Sequence, residues 1–227
     1  MKKYLYEMHF HTVETSRCAK ISAIEAIKLY IEKGYDGIVV TDHLSPSTLK
    51  KFEGMDMTWA EKVDFFLTGY RTAMNAADGK INVFLGMELR FDKRREMNDY
   101  LVYGVTEKFL YKHPNLLDMN INDFSKLAHK NGMAVFQAHP FRTGMRVVNP
   151  KHLDGIEIYN GNPRHNSSND IAEMWAKKYG LKTVGGSDFH EYEDLARGGV
   201  YFNRNIKDNK DLVKELLKGD YEIKRNG

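Results

Sequence analysis

The sequence predicts an α/β fold built on mainly parallel strands with helices packed outside them. Three observations carry that expectation. Short apolar runs alternate with amphipathic helical segments along the whole chain. Runs such as Asp36-Gly-Ile-Val-Val-Thr41 are too continuously apolar for a sheet with one wet face. Capping residues and glycine stops separate the segments.

In chain order, Leu5 to His9 reads as a strand, and Ser22-Ala-Ile-Glu25 as a capping box opening a helix. That helix carries Ile24, Ile27, Leu29 and Ile31 and stops at Gly34, a left-handed C-cap. The strand over 36–41 follows. Leu44 to Met57 is polar and punctuated by Gly, Ser and Pro, so it reads as a loop over one end of the sheet. Thr58-Trp-Ala-Glu61 is a second capping box, opening a helix that runs to Gly79. Val83 to Met87 and Tyr100 to Gly104 read as strands, and Asn122 as the cap of a helix ending at Gly132. Strands over 134–136, 156–159, 183–184 and 199–202 and helices over 168–179 and 208–217 complete the pattern.

This alternation implies a parallel sheet, open or closed into a barrel. The chain has 227 residues, close to the roughly 250 of an α/β barrel. With five prolines and no linker or repeat, one domain over 1–227 is expected. The single cysteine, Cys18, excludes a disulfide framework and a Cys-rich zinc module. A net charge of +3 does not make nucleic acid the default partner. No apolar run reaches the roughly 20 residues that span a bilayer, and the N-terminus lacks a leader pattern, so a cytoplasmic protein with Cys18 reduced is expected.

Nine histidines stand beside 31 carboxylates, and the distinctive ones fall on one part of the map. His9 and His11 end the first strand, and Asp42 and His43 follow the second. Glu88 and His139 follow two more, Asn160 ends another, and Asp188 and His190 come just after Thr183-Val184. Carboxyl ends of parallel strands lie on one face, where sites are built in such folds. Imidazole with carboxylate suits zinc, manganese or iron(II), and Glu88 or Asp188 could bridge two cations. His-x-His at a strand end points both rings the same way. His113, His129 and His152 lack partners in sequence and read as ordinary surface or core residues, whereas His165 lies in a loop where a substrate role is as open as a solvated one.

The ordered set His9-Phe-His11, Thr41-Asp42-His43, Glu88, His139-Pro140 and Gly186-Ser187-Asp188-Phe189-His190 resembles the polymerase and histidinol phosphatase (PHP) superfamily over residues 4–203. The resemblance implies a distorted (β/α)7 barrel, two or three divalent ions at its mouth and hydrolysis of phosphate esters. It assigns His9, His11, Glu88 and Asp188 to a first ion, with Glu88 bridging to a second also held by His139. His43 and His190 would serve a third or regroup around the second, with Asp42 beside them. Two departures stand out. Thr15-Ser16-Arg17-Cys18 occupies a stretch where relatives often have another His or Asp, and Asn98-Asp99 occupies a place where many have a histidine. Two well-furnished ion positions and a weaker third are expected.

The implied chemistry is in-line attack on phosphorus by water activated between two ions. Arg197, Arg164, Arg142 and Arg17 are candidates to bind the phosphoryl oxygens, and His165 or Asp42 to protonate the leaving oxygen. The expected substrate is a small phosphomonoester or nucleotide, with nucleic acid only as a strand end. The competing classes are a non-catalytic metal-binding domain and a metal-dependent hydrolase of C–N bonds.

Overall fold

The computed structural model describes residues 2–91 and 97–226. Among them, a five-stranded sheet runs in the order β11, β10, β1, β2, β4 and a six-stranded sheet in the order β3, β5, β6, β7, β8, β9. The strands are β1 (Tyr4–Phe10), β2 (Gly37–Val40), β3 (His43–Leu44), β4 (Asn82–Leu85), β5 (Met87–Leu89), β6 (Tyr100–Tyr103), β7 (Ala134–Gln137), β8 (Gly155–Asn160), β9 (Lys182–Gly186), β10 (Gly198–Phe202) and β11 (Tyr221–Arg225). The pairs β2–β4 and β3–β5 are both parallel and follow one another along the chain, so one pair of extended segments passes from the first sheet into the second. Phe189 N–H donates to His9 O and His11 N–H to Phe189 O, both at 3.1 Å, tying the end of β1, the central strand of the first sheet, to the segment after the edge strand β9.

The pairing is mixed rather than mainly parallel, which corrects the sequence expectation. β6 is antiparallel to both β5 and β7, and β10 is antiparallel to β1 and β11. Ten residues separate β5 from β6, short for the crossover that a parallel return needs, whereas eighteen residues separate β10 from its antiparallel partner β11. Glycine breaks the expected strand over 83–87. A Cβ on Gly86 would lie 2.8 Å from Val39 Cγ1 and 3.1 Å from Val102 O, so the chain passes there too closely for a side chain.

The helices are α1 (Ala23–Glu32), α2 (Pro46–Leu49), α3 (Trp59–Phe66), α4 (Thr68–Ala77), α5 (Glu107–Lys112), α6 (Ile121–Lys130), α7 (Asn169–Tyr179) and α8 (Asn209–Lys218). The segment over 58–79 is thus two helices, joined at Leu67. The Thr58–Glu61 capping box is present. At α1, Ser22 accepts from Glu25 N–H, and Glu14 takes the Ala23 N–H from outside the helix. Its buried stripe is Ala23, Ala26, Ile27 and Tyr30, leaving Ile24 exposed. Asn120, two residues before the expected Asn122, caps α6. The stretch 44–57 holds the end of β3, α2 and a 3₁₀ turn rather than irregular loop alone.

One apolar cluster draws on both sheets: Tyr6 and Met8 from β1, Val39, Phe84, Leu101, Phe136, Val184 and Val200, with Leu212 and Leu216 of α8 against it. The core therefore lies between the sheets, with α8 covering one end. The metal-type side chains gather at the other. Two further clusters pack α3, α5, α6 and α7, and α1 with α4, onto the outer faces.

Near that second end the register of β1 on β2 shifts between Glu7 and Phe10. The buried carboxylate of Glu7 accepts the Met8, His9 and Ser187 N–H groups on Oε1 at 2.8–3.0 Å, and the Tyr30 hydroxyl on Oε2 at 2.9 Å. Burial pushes its pKa above the ordinary carboxylate value, although these donors oppose the rise. Glu7→Ala strands three buried N–H groups, each costing about 1–3 kcal/mol. Denaturant unfolding should show a loss of about 3 kcal/mol or more. An unchanged midpoint would remove Glu7 from this role.

Candidate metal centre

Glu88 on β5 is the hub. Its Oε1 lies 3.1 Å from His139 Nε2 and 3.4 Å from His9 Nε2, and its Oε2 lies 2.9 Å from His43 Nδ1 and 3.2 Å from His11 Nε2. His43 and Glu88 are direct neighbours in the β3–β5 pairing, while His9 and His11 arrive from β1. Asp188 closes the group, with Oδ1 3.3 Å from His9 Nε2 and 3.5 Å from His11 Nε2. His190 stacks near His11, with ring centroids 4.3 Å apart. His139 and Asp188 both hold left-handed backbone, at φ 27° and 52°, a conformation uncommon outside glycine and often found at functional sites.

Burial alone would raise the Glu88 pKa. His43 and His9 outweigh that, and hold the carboxylate well below its usual range. Burial likewise opposes charging His9, but Asp188, Glu157 and Glu88 together push it well above the ordinary histidine value. Without a cation, these imidazoles would have to carry protons themselves.

The orientation of each ring follows from its outer partner. His9 Nδ1 is 2.9 Å from Glu157 Oε1. A buried carboxylate accepts, so Nδ1 carries the proton and Nε2 turns its lone pair inward. His11 Nδ1 meets Ser16 Oγ at 3.3 Å, and that hydroxyl donates its one proton to Asp42 Oδ1 at 2.7 Å. Nδ1 is therefore the donor and Nε2 again faces the centre. His9 Nε2, His11 Nε2, Glu88 Oε2 and His139 Nδ1 are buried without a hydrogen-bond partner. Unpaired buried polar atoms are costly, and a divalent cation is what such a donor set satisfies. Four groups bring ligand atoms within 4.8 Å of one another: His9–His11–Asp188, His9–Glu88–His139, His43–Glu88–Asp99 and His11–His43–His190. The residues present fit a divalent-metal site.

The seven expected ligands thus come together. The expected substrate and proton-transfer residues divide. Arg142 and Arg164 line a cavity of about 280 Å³ over the cluster, together with His165, Met145 and Asn162. Arg142 is bound to Asp188 Oδ2 at 2.7 Å and Asn160 Oδ1 at 3.0 Å, and Arg164 to Asp194 at 2.7 and 2.8 Å. Arg17 lines a neighbouring cavity with Cys18, His43, Ser45, Ser47, Thr48 and Arg90. Arg197 is not among the residues lining either cavity, and its Nε donates to Gly161 O at 2.9 Å. Asp42 is buried and lines neither cavity, its Oδ1 accepting from Thr12 N–H and Ser16 Oγ and its Oδ2 from Thr12 Oγ1, all at 2.7 Å. Burial, then Arg142, lowers the His165 pKa. His113 bonds to Phe109 O and His129 to Asp154, away from the cluster.

Three residues escaped the sequence reading. Asp99 precedes β6, and because β6 runs backwards, its amino end is the one at the site; Asp99 holds Arg90 and lies 4.0 Å from His139 Nε2. Glu157 of β8 takes His9 Nδ1–H on one oxygen, and His139 N–H and Asn160 Nδ2 on the other at 2.9 and 3.1 Å. Its signal was a charge between two isoleucines of an otherwise apolar strand. Ser16 is the third, taking the His43 N–H at 3.1 Å as well.

Residues 166–221 match the family PHP_C, described as PHP-associated. That match agrees with the resemblance of the ordered histidine and carboxylate motifs to the PHP superfamily. No curated protein sequence matches the chain. Solved structures share its fold at low identity. PsfC of Pseudomonas syringae has a TM-score of 0.66 and 15% identity, covering 100% of this chain and 93% of that one. A proposed metal-dependent phosphoesterase of Bifidobacterium adolescentis has 0.57 and 14%, covering 94% and 96%. An amidohydrolase of Chromobacterium violaceum, solved with sulfate and no metal, has 0.58 and 15%, covering 97% of each.

Glu157→Gln forces an amide N–H₂ against either His9 Nδ1–H or the His139 N–H. Zinc affinity, measured by competition with a chromophoric chelator, should fall about 10–100-fold while the fold persists. Affinity equal to that of the wild type would show that Glu157 does not orient the ring.

Proposed function

We propose that the chain is a metal-dependent phosphoesterase that hydrolyses a small phosphomonoester or nucleotide, on a distorted barrel made by its two sheets. Family and fold support a metal-dependent hydrolase. The observation that carries the reading is Glu88, whose two oxygens each face a different pair of imidazoles beneath an open cavity.

His9, His11, Glu88 and Asp188 would hold one ion, and Glu88 and His139, with Asp99 and His43 in reach, a second. Such ions supply an activated water and neutralise phosphoryl oxygens. The chain's own residues do the rest. Glu157 and Ser16 fix the tautomers of His9 and His11, so both inward nitrogens are lone pairs. Arg142 and Asn160 hold Asp188 Oδ2, leaving Oδ1 toward His9 and His11. Arg142, Arg164 and His165 line the cavity of about 280 Å³ over the cluster, where a phosphoryl group would enter.

A second reading, hydrolysis of a C–N bond, has in its favour the amidohydrolase among the proteins sharing the fold. Metal-free protein loaded with manganese or zinc should hydrolyse aryl phosphate and members of a phosphomonoester panel, and lose that activity to a chelator. His9→Ala and Asp188→Ala should each abolish both metal retention and turnover. Turnover of N-acyl substrates with no phosphate ester cleaved would favour the second reading, and wild-type rates in either variant would sink the site.

A further inference from the structure

Beside the metal centre lies a second cavity, of about 370 Å³, that the proposed reaction does not use. We infer that this cavity is an oxyanion site, in which Arg17, Ser47 and Thr48 hold a second phosphoryl group of the substrate, not the one that is cleaved. The inference rests on the phosphoesterase reading and names a substrate class for it, a small molecule with two phosphoryl groups.

The charge of the lining is the first argument. Among the described residues it carries the guanidiniums of Arg17 and Arg90, the hydroxyls of Ser45, Ser47 and Thr48, and no carboxylate. The main cavity is lined instead by Glu88, Asp99, Asp188 and Glu191, so it suits an anion only once cations fill it. Arg90 gives Nε and Nη2 to Asp99 and keeps Nη1. Arg17 makes no ion pair or hydrogen bond among the described residues. Lys51 stands near it, with its ammonium 3.3 Å from the centre of the Phe65 ring. Burial, then the Arg17 charge, lowers the Lys51 pKa, so two cations crowd one another at this corner. A bound oxyanion relieves that repulsion.

The hydroxyls supply a second, independent argument. Ser45 Oγ lies 2.9 Å from Ser47 Oγ and 3.0 Å from Thr48 Oγ1, and it accepts the Thr48 N–H at 3.2 Å. A hydroxyl has one proton and two lone pairs. With one lone pair taken by that N–H, Ser45 accepts from only one of the two neighbouring hydroxyls and donates to the other. The hydroxyl that receives the Ser45 proton keeps its own, and no acceptor for it exists among the described residues. A free O–H beside a free guanidinium is the donor set that a tetrahedral oxyanion takes.

The position of the cavity makes it a place for the substrate's other end. Cys18, His43 and Arg90 line both cavities, so the two share a wall. His43 Nδ1 lies 2.9 Å from Glu88, which leaves that wall one side chain from the centre. A molecule with one phosphoryl group over the cluster can therefore put another against Arg17 through a short linker. A monophosphate leaves Arg17 and the hydroxyls to water. Contacts with a group that does not react bind substrate and transition state alike, so the preference for two phosphoryl groups belongs in KM rather than kcat.

The test is a calorimetric titration of inorganic phosphate into the metal-free full chain, with Arg17→Gln and a double variant, Ser47→Ala with Thr48→Val, in parallel. Without cations the main cavity repels anions, so the heat reports the side cavity. The wild type should bind phosphate, more weakly as salt is added, and each variant should bind it about tenfold more weakly still. Arg17 is exposed, so Arg17→Gln should keep the wild-type unfolding midpoint. In zinc-loaded protein, alkanediol bisphosphates of graded length are compared with alkyl monophosphates of the same lengths. At least one bisphosphate should show a KM about tenfold lower than its monophosphate, an advantage that Arg17→Gln removes. No phosphate bound by the wild type, equal binding by Arg17→Gln, or no preference for a bisphosphate at any length overturns the inference while monophosphate turnover keeps the phosphoesterase reading. Phosphate bound through Arg17 with no ester cleaved would fault that reading and leave the oxyanion site standing.

Discussion

The structure depends on one buried anion. Glu88 is sealed from solvent and faced by four imidazoles at 2.9–3.4 Å, with no lysine or arginine in direct contact with it among the described residues. An isolated carboxylate in such a place would take up a proton. It stays ionised only if positive charge sits among those rings, either as protons or as metal ions. Protonating several histidines packed 4.3–5.8 Å apart sets like charges against each other, so divalent ions are the more economical source. Much of the local architecture follows from this need. Gly86 lets β5 approach β2 and β6 closely, the β3–β5 pairing puts His43 opposite Glu88, and the Phe10–Phe189 bridge brings β1 beside Asp188.

A layer of outer partners makes that inner charge specific. Glu7 takes the backbone N–H groups of Met8 and His9 where the register of β1 shifts, and Glu157 takes both a ring proton from His9 and the backbone N–H of His139. Asp42 acts on His11 only through Ser16. Each of these carboxylates is spent on a donor of the chain itself, which separates them from Glu88 and Asp188, whose free oxygens point at lone pairs. Gly186 lies close behind His9, where a Cβ would come within 2.4 Å of the histidine's own Cβ, so β9 serves as a flat backing for the ring.

This division explains what the sequence could reveal. Ligands at the ends of parallel strands are legible, because strand order and alternation carry them to one face whatever the loops do. His9, His11, His43, Glu88, His139, Asp188 and His190 are of this kind. Asp99 was hidden because its strand runs the other way, and strand direction is set by tertiary pairing that no local pattern records. Glu7 and Glu157 carried a visible signal, a carboxylate within a buried strand, but its meaning depends on which backbone and ring donors fold against it. The arginines were the least legible. A guanidinium reaches far enough that its partner is decided by neighbouring loops, which is why Arg197 ended on Gly161 O and Arg142 on Asp188.

Those arginine pairings bear on how an anionic substrate could be held at all. Among the described residues lining the main cavity, the guanidiniums are Arg90, Arg142 and Arg164, and the carboxylates are Glu88, Asp99, Asp188 and Glu191. Each arginine is already paired: Arg90 with Asp99, Arg142 with Asp188, and Arg164 with Asp194. With neutral histidines the lining carries more negative than positive charge, so a phosphate dianion entering it would meet repulsion at short range. Divalent ions reverse that balance. Arg142 holds Asp188 by Oδ2, so Oδ1 is left for an ion and the guanidinium stays at the cavity wall. The arginines then act as a second layer of positive charge behind the ions, and the same carboxylates that repel an anion from the empty cavity become the means of attracting it.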